Sequence, residues 1–233
     1  MNKIDINIIE IKEKYKAKIA GTGWENILNP IIDSTYFEEV IYKLKNDVEN
    51  NRRFTPVLKD LFNAFIYCPY DKLSVIMIGQ DPYPQLGVAD GISFSCSKTM
   101  KEQPSLRYIF DYLDTHYTDY VRDPNLKRWS EQGVLMLNTA FTVQIGKIGS
   151  HYGIWKPITK MILDSINKEK SNIPTVLLGK KAEEWHMRIH NQKIFKVPHP
   201  ASAAYKGGKW DGKDVFNEIN KHLKESKGIN IFW

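Results

Sequence analysis

The segment Gln80-Asp81-Pro82-Tyr83-Pro84 supplies an amide, a carboxylate and an aromatic ring, with a proline after each of the last two. Each proline fixes its own φ and biases the preceding residue toward extended backbone, so Asp81 and Tyr83 are aimed before any ligand arrives. A carboxylate held in advance is what preorganised electrostatic catalysis requires. Asn138, Gly179-Lys180 and His199-Pro200 add a second amide, a glycine turn followed by a lysine, and an imidazole. A carboxylate and an imidazole without a serine or cysteine in an elbow motif point to an activated water rather than an acyl intermediate. The sequence has no HExxH pattern and no acidic cluster, which argues against metal-assisted hydrolysis. The amide of Asn138 donates and accepts along one planar edge, the form of recognition that a nucleic-acid base needs. Phe94, in GISFS, either offers a stacking face or is plain core.

These groups need a scaffold that brings them together. Residues 73–78, 134–137, 175–178 and 194–197 are short apolar or β-rich runs halted by Gly, Asn or Pro, and read as buried strands. Apolar spacing predicts helices over 36–49, 58–66, 105–114, 156–168 and 180–190. Strands alternating with helices imply a three-layer α/β/α fold with a central four-stranded parallel sheet. In such sheets ligands bind beyond the carboxyl ends of the strands. Those ends are Gln80-Asp81, Asn138-Thr139, Gly179-Lys180 and His199-Pro200, so one edge collects all the candidate chemistry. Residues 1–19 are expected to be an N-terminal arm or frayed helix, and 20–233 a single catalytic domain.

Composition narrows the class. With 42% apolar and 26% charged residues the chain has ordinary globular makeup. No apolar run approaches the roughly 20 residues that span a bilayer, and the first residues lack a signal-peptide pattern. A cytoplasmic address is expected, or a nuclear one in a eukaryotic or viral source, with Cys68 and Cys96 as reduced thiols. The net charge of +6 is weak evidence for a polyanionic partner. Its distribution says more, because Lys98, Lys101, Arg107, Lys147, Lys180, Lys181, Lys206, Lys209 and Lys213 fall just after apolar runs, near glycines and prolines.

The motifs carry a family resemblance. GQDPYP at 79–84 resembles the GQDPYH motif of the ung-type uracil-DNA glycosylases. The similarity continues through GISFS at 91–95, PSLRYIF at 104–110, QGVLMLNTAFTV at 132–143, SHYGIWKPIT at 150–159, VLLG at 176–179 and VPHPAS at 197–202. It runs in order from about residue 20 to the carboxyl terminus. The resemblance implies that Asp81 orients the attacking water and that neutral His199 donates to uracil O2 as the base leaves. It implies that Asn138 reads O4 and N3–H, Tyr83 excludes the thymine methyl group, Phe94 stacks on the flipped base, and the Gln80 main chain adds a hydrogen bond. Ser105 would hold a phosphate, with Lys180, Ser202, Tyr205 and Lys206 also facing DNA. No cofactor and no metal are implied, and a monomer is expected. Uracil-containing DNA, single- or double-stranded, would be the substrate, with a proteinaceous inhibitor or replication partner as the candidate protein contact.

The chain departs from the family at three places. Pro84 stands where a histidine is usual. The loop after His199 reads HPASAAYKGG and is about one residue shorter than HPSPLSxYRG, so Ala201 replaces a serine, no leucine wedge is present, and Tyr205 is a substitute. Lys180 follows Gly179 where another serine is usual. Two alternatives therefore stay open: a DNA-binding replication or repair scaffold of the same fold, and a glycosylase for another modified pyrimidine.

Overall fold

A computed structural model describes residues 7–233. The central sheet has the order β3-β2-β5-β6, all parallel, formed by β2 (Val75–Gly79), β3 (Val134–Asn138), β5 (Pro174–Leu178) and β6 (Lys193–Val197). The remaining strands, β1 (Phe54–Thr55) and β4 (Val143–Gln144), form a short antiparallel tie between the segment after β3 and residues 54–55. The helices are α1 (Ile8–Ile19), α2 (Glu25–Asp33), α3 (Thr35–Glu49), α4 (Asn63–Ile66), α5 (Pro104–His116), α6 (Lys127–Glu131), α7 (Tyr152–Glu169), α8 (Lys180–Glu183) and α9 (Val215–Lys227).

The period of two in the strands divides the core. Ile76, Ile78, Leu135, Leu137 and Leu177 face a layer containing α1, α2, α3 and α7, whereas Val75, Met77, Val134, Met136, Val176 and Val197 face a layer containing α5 and α9. Both faces are covered, which is why these strands read as continuous apolar runs. The three-layer α/β/α expectation and its four parallel strands are met.

Several local expectations need correction. The frayed N-terminal segment becomes α1 over the described residues 8–19. Tyr15 and Ile19 are buried, and Tyr15 packs edge-on against Phe37 and Phe62, so this helix belongs to the folded body. Residues 1–6 lie outside the described part. The single helix expected over 58–66 splits into a 3-10 turn at Leu58–Asp60 and the one-turn α4. The break brings the Asp60 carbonyl against Gly91, where a Cβ would sit 1.9 Å from the oxygen, so a side chain there is excluded. The helix expected over 180–190 stops at Glu183 and resumes as a 3-10 turn at His186–Arg188, with Trp185 and Ile189 turned into the core. Among the described residues no helix is long and apolar enough to cross a membrane.

Candidate active site

Register decides which groups meet. Gly79 and Asn138 are direct partners at the ends of β2 and β3. Just beyond, the Gln80 carbonyl accepts from the Ala140 N–H at 2.9 Å and from the Thr139 hydroxyl at 3.1 Å. The polar corner is thereby stitched to β3 before Asp81 begins.

Asp81 is held by one oxygen. Its Oδ2 accepts from Gln80 Nε2 at 2.9 Å and from the Gly149 N–H at 2.9 Å. Its Oδ1 is buried, and among the described residues no group donates to it. Burial pushes the Asp81 carboxyl above its ordinary value, and the Gly149 and Gln80 hydrogen bonds only partly offset this. The loop that carries Gly149 is itself anchored, because the Gly146 N–H donates to the Pro84 carbonyl at 3.0 Å. Pro84 therefore fixes the loop through its main chain.

Tyr83 is pinned at both ends. The prolines set its backbone, and its hydroxyl donates to the Phe94 carbonyl at 3.0 Å. Phe94 adopts φ +63°, a left-handed conformation that is costly for a bulky side chain and persists only where its surroundings enforce it. Asp90 ties down the loop on both sides of Phe94. Its Oδ1 accepts from the Ile92 N–H at 3.1 Å, and its Oδ2 from the Ser95 hydroxyl at 2.5 Å, the Ser97 N–H at 3.0 Å and the Ser97 hydroxyl at 2.6 Å.

His199 arrives from β6 across a glycine. A Cβ at Gly179, whose φ is +87°, would lie 2.7 Å from the His199 Cβ, so only glycine lets the two strand ends approach. The Ala201 N–H donates to His199 Nδ1 at 3.2 Å, which puts the proton of the neutral ring on Nε2. Burial pushes the His199 pKa down, keeping that ring neutral at pH 7. Its centroid stands 5.9 Å from that of Phe94.

These groups surround a cavity of about 420 Å³ lined by Gln80, Asp81, Tyr83, Phe94, Ser105, Asn138 and His199, together with Pro84, Ser93, Ile148 and Ala201. Lys180, Ser202, Tyr205 and Lys206 do not line it. Lys180 opens α8 beside Gly179, whereas Ser202 and Tyr205 follow His199 on a 3-10 turn capped by Lys206, with Tyr205 92% exposed.

Residues 65–224 match the family model described as the uracil DNA glycosylase superfamily. The uracil-DNA glycosylase 1 of Listeria innocua is 34% identical over 214 residues, covering 90% of this chain and 96% of that protein. The chain belongs to this superfamily. The uracil-DNA glycosylase of Campylobacter jejuni is likewise 34% identical, covering 100% of this chain and 99% of its own. The crystal structure of mimivirus uracil-DNA glycosylase superposes with a TM-score of 0.83 at 26% identity, covering 97% of this chain and 91% of the viral one. A variant of that viral protein was solved in complex with UGI, with the same TM-score and identity.

Three residues at the site, Gly149, Ile148 and Ser93, carry no recognisable sequence signal. Gly149 acts through its N–H, which no side-chain pattern can announce. Ile148 lines the cavity from an exposed position in the same loop. Ser93 hides in GISFS beside Phe94, where burial alone would have made it look structural.

Proposed function

We propose that this chain releases uracil from DNA by hydrolysing the N-glycosidic bond with a water oriented by Asp81, leaving an abasic site for base excision repair. The observation that carries this reading is the buried, undonated Oδ1 of Asp81 beside a cavity of base-binding size. Its Oδ2 is committed to Gln80 and Gly149, so Oδ1 is the oxygen that takes a proton from water and faces the positive charge developing on the sugar. His199 donates through Nε2 to uracil O2 as the base leaves with the bonding electrons. A neutral donor serves here because the negative charge it meets appears only as the bond breaks.

Asn138 reads O4 and N3–H of uracil, Phe94 stacks on its face and Tyr83 crowds C5, where thymine carries a methyl group. The Gln80 carbonyl is already occupied, so its N–H is the main-chain group that serves the base. Extruding a nucleotide and reading its pairing edge is how enzymes that act on a base reach it. Ser105 lies at the N-terminal turn of the 13-residue α5, where a hydroxyl and the helix end favour a phosphate. Lys180, Ser202 and Lys206 grip the backbone outside the cavity, and the exposed Tyr205 fills the space left by the flipped base. The enzyme acts as a monomer in the cytoplasm, or in the nucleus of a eukaryotic or viral source. A proteinaceous inhibitor or a replication partner is the protein contact such a rim would accept.

Purified protein is expected to release uracil from single-stranded and duplex DNA in EDTA, with no release of thymine. Abolition of release by EDTA, or release of another modified pyrimidine in preference to uracil, would overturn the reading. DNA binding without base release would favour the scaffold alternative. Affinity for DNA should fall steeply with salt, as phosphate-dominated binding requires, and a flat response would contradict the assigned grips.

A further inference from the structure

Ser93 is 1% exposed, and its place is fixed from β3, because its N–H donates to the Met136 carbonyl at 3.0 Å. Its hydroxyl lies 2.9 Å from Asn138 Oδ1, the one acceptor it meets among the described residues. Gly79 makes this contact possible. A Cβ at position 79 would sit 2.6 Å from Ser93 Oγ and 2.7 Å from Asn138 Oδ1, blocking the gap that the two side chains share.

A planar amide can sit in two orientations that present opposite hydrogen-bonding groups. With Oδ1 turned to Ser93, the hydroxyl proton has an acceptor and Nδ2 is left to donate into the cavity. Turned over, Nδ2 would face the serine oxygen and the hydroxyl proton would be buried without an acceptor, a costly state. We propose that Ser93 is a positioning residue that fixes the amide orientation of Asn138 and thereby selects a base with a carbonyl over one with an amino group at the same place. Nδ2 then meets O4 of uracil and would meet the amino hydrogens of cytosine head-on. Oδ1 keeps its second lone pair for N3–H, so both uracil contacts survive the serine contact. The proposal rests on the reading of Asn138 as the residue that recognises the base edge.

The test is a double-mutant cycle of Ser93→Ala and Asn138→Ala, read as single-turnover uracil release, inhibition by free uracil, and affinity for DNA containing an abasic site. Ser93→Ala is expected to lower uracil release and weaken free-uracil inhibition about tenfold each, the scale of one buried hydrogen bond. It should leave abasic-DNA affinity unchanged, raise cytosine release relative to uracil release, and have no further effect in the Asn138→Ala background. If Asn138→Ala is impaired while Ser93→Ala behaves as wild type, the inference fails and the reading of Asn138 stands. If Ser93→Ala costs as much with Asn138 absent as with it present, the serine is merely structural and the inference also fails. If Asn138→Ala itself releases uracil normally, it is the reading of Asn138 that fails.

Discussion

Two carboxylates, Asp47 fully buried and Asp81 partly so, have opposite fates. Asp47, at the end of α3, is saturated: Lys43 at 2.5 Å and Arg52 at 2.9 Å reach Oδ1, while Gln144 at 3.0 Å and His151 at 2.8 Å reach Oδ2. Burial alone would push Asp47 up, but hydrogen bonds from Lys43, Gln144 and His151 overcome it and hold the carboxyl well below the usual range. Asp81 has two donors on one oxygen, none among the described residues on the other, and is pushed up. Asp47 joins α3, β4 and the start of α7, and the network continues from His151 to Thr142 and on to Trp155. A structural carboxylate is given every partner it can use. Asp81, in the mechanism proposed above, keeps an oxygen to spend on substrate.

The two carboxylates should differ most in turnover. Asp81→Asn should lower uracil release by at least about 10²–10⁴-fold, the contribution of a positioned acid–base group. The raised pKa of Asp81 makes its charge a cost to folding that grows as pH rises through that pKa. The asparagine variant should therefore melt at or above the wild-type temperature at pH 7, and a near-normal rate would end the water-activating role. Asp47→Ala should do the reverse. Removing one member of a buried charge network costs about 3 kcal/mol, readable as a lowered denaturant midpoint, while turnover per folded molecule changes less than about tenfold. Equal losses of activity in both variants would erase the distinction.

Acid titration sharpens the contrast. The lowered pKa of Asp47 contributes stability that is present above the ordinary carboxylate value of about 3.9 and is lost as pH falls through its own lower one. Wild type should lose stability below about pH 4 more steeply than Asp47→Asn; parallel curves would show that Asp47 is not the group involved. The smallest effect concerns the cavity wall. Tyr83→Ala removes the ring and its hydrogen bond to Phe94, and should admit slow thymine release with modest loss of uracil rate. Unchanged exclusion of thymine would remove Tyr83 from that role.

Much of the site was legible because it sits where strands end. Gly79, Asn138, Gly179 and His199 follow short apolar runs, and a parallel sheet carries such ends to one edge. What the sequence hid depends on main-chain atoms or on packing between distant segments. Gly149 reaches Asp81 across 68 residues through an amide that every residue possesses. Asp90 ties down the loop around Phe94, at φ +63°, through side chains that look like ordinary serines. Helices α2 and α9 went unread, α2 because Pro30 interrupts its pattern and α9 because it is polar over most of its surface. The rim is the least legible part. Lys180, Ser202, Tyr205 and Lys206 are outside the cavity, and their roles concern a partner whose shape the chain alone does not encode.

The joint action of an under-donated Asp81 and a neutral His199 on uracil is read most directly from the single-turnover rate of uracil release against pH. The rate should hold a plateau through neutral pH with no decline on the alkaline side from His199, which donates as the neutral ring. On the acid side the rate should fall with an apparent pKa above the ordinary carboxylate value of about 3.9. A maximum at acid pH that demands protonated histidine, or a rate that persists below that value, would contradict it.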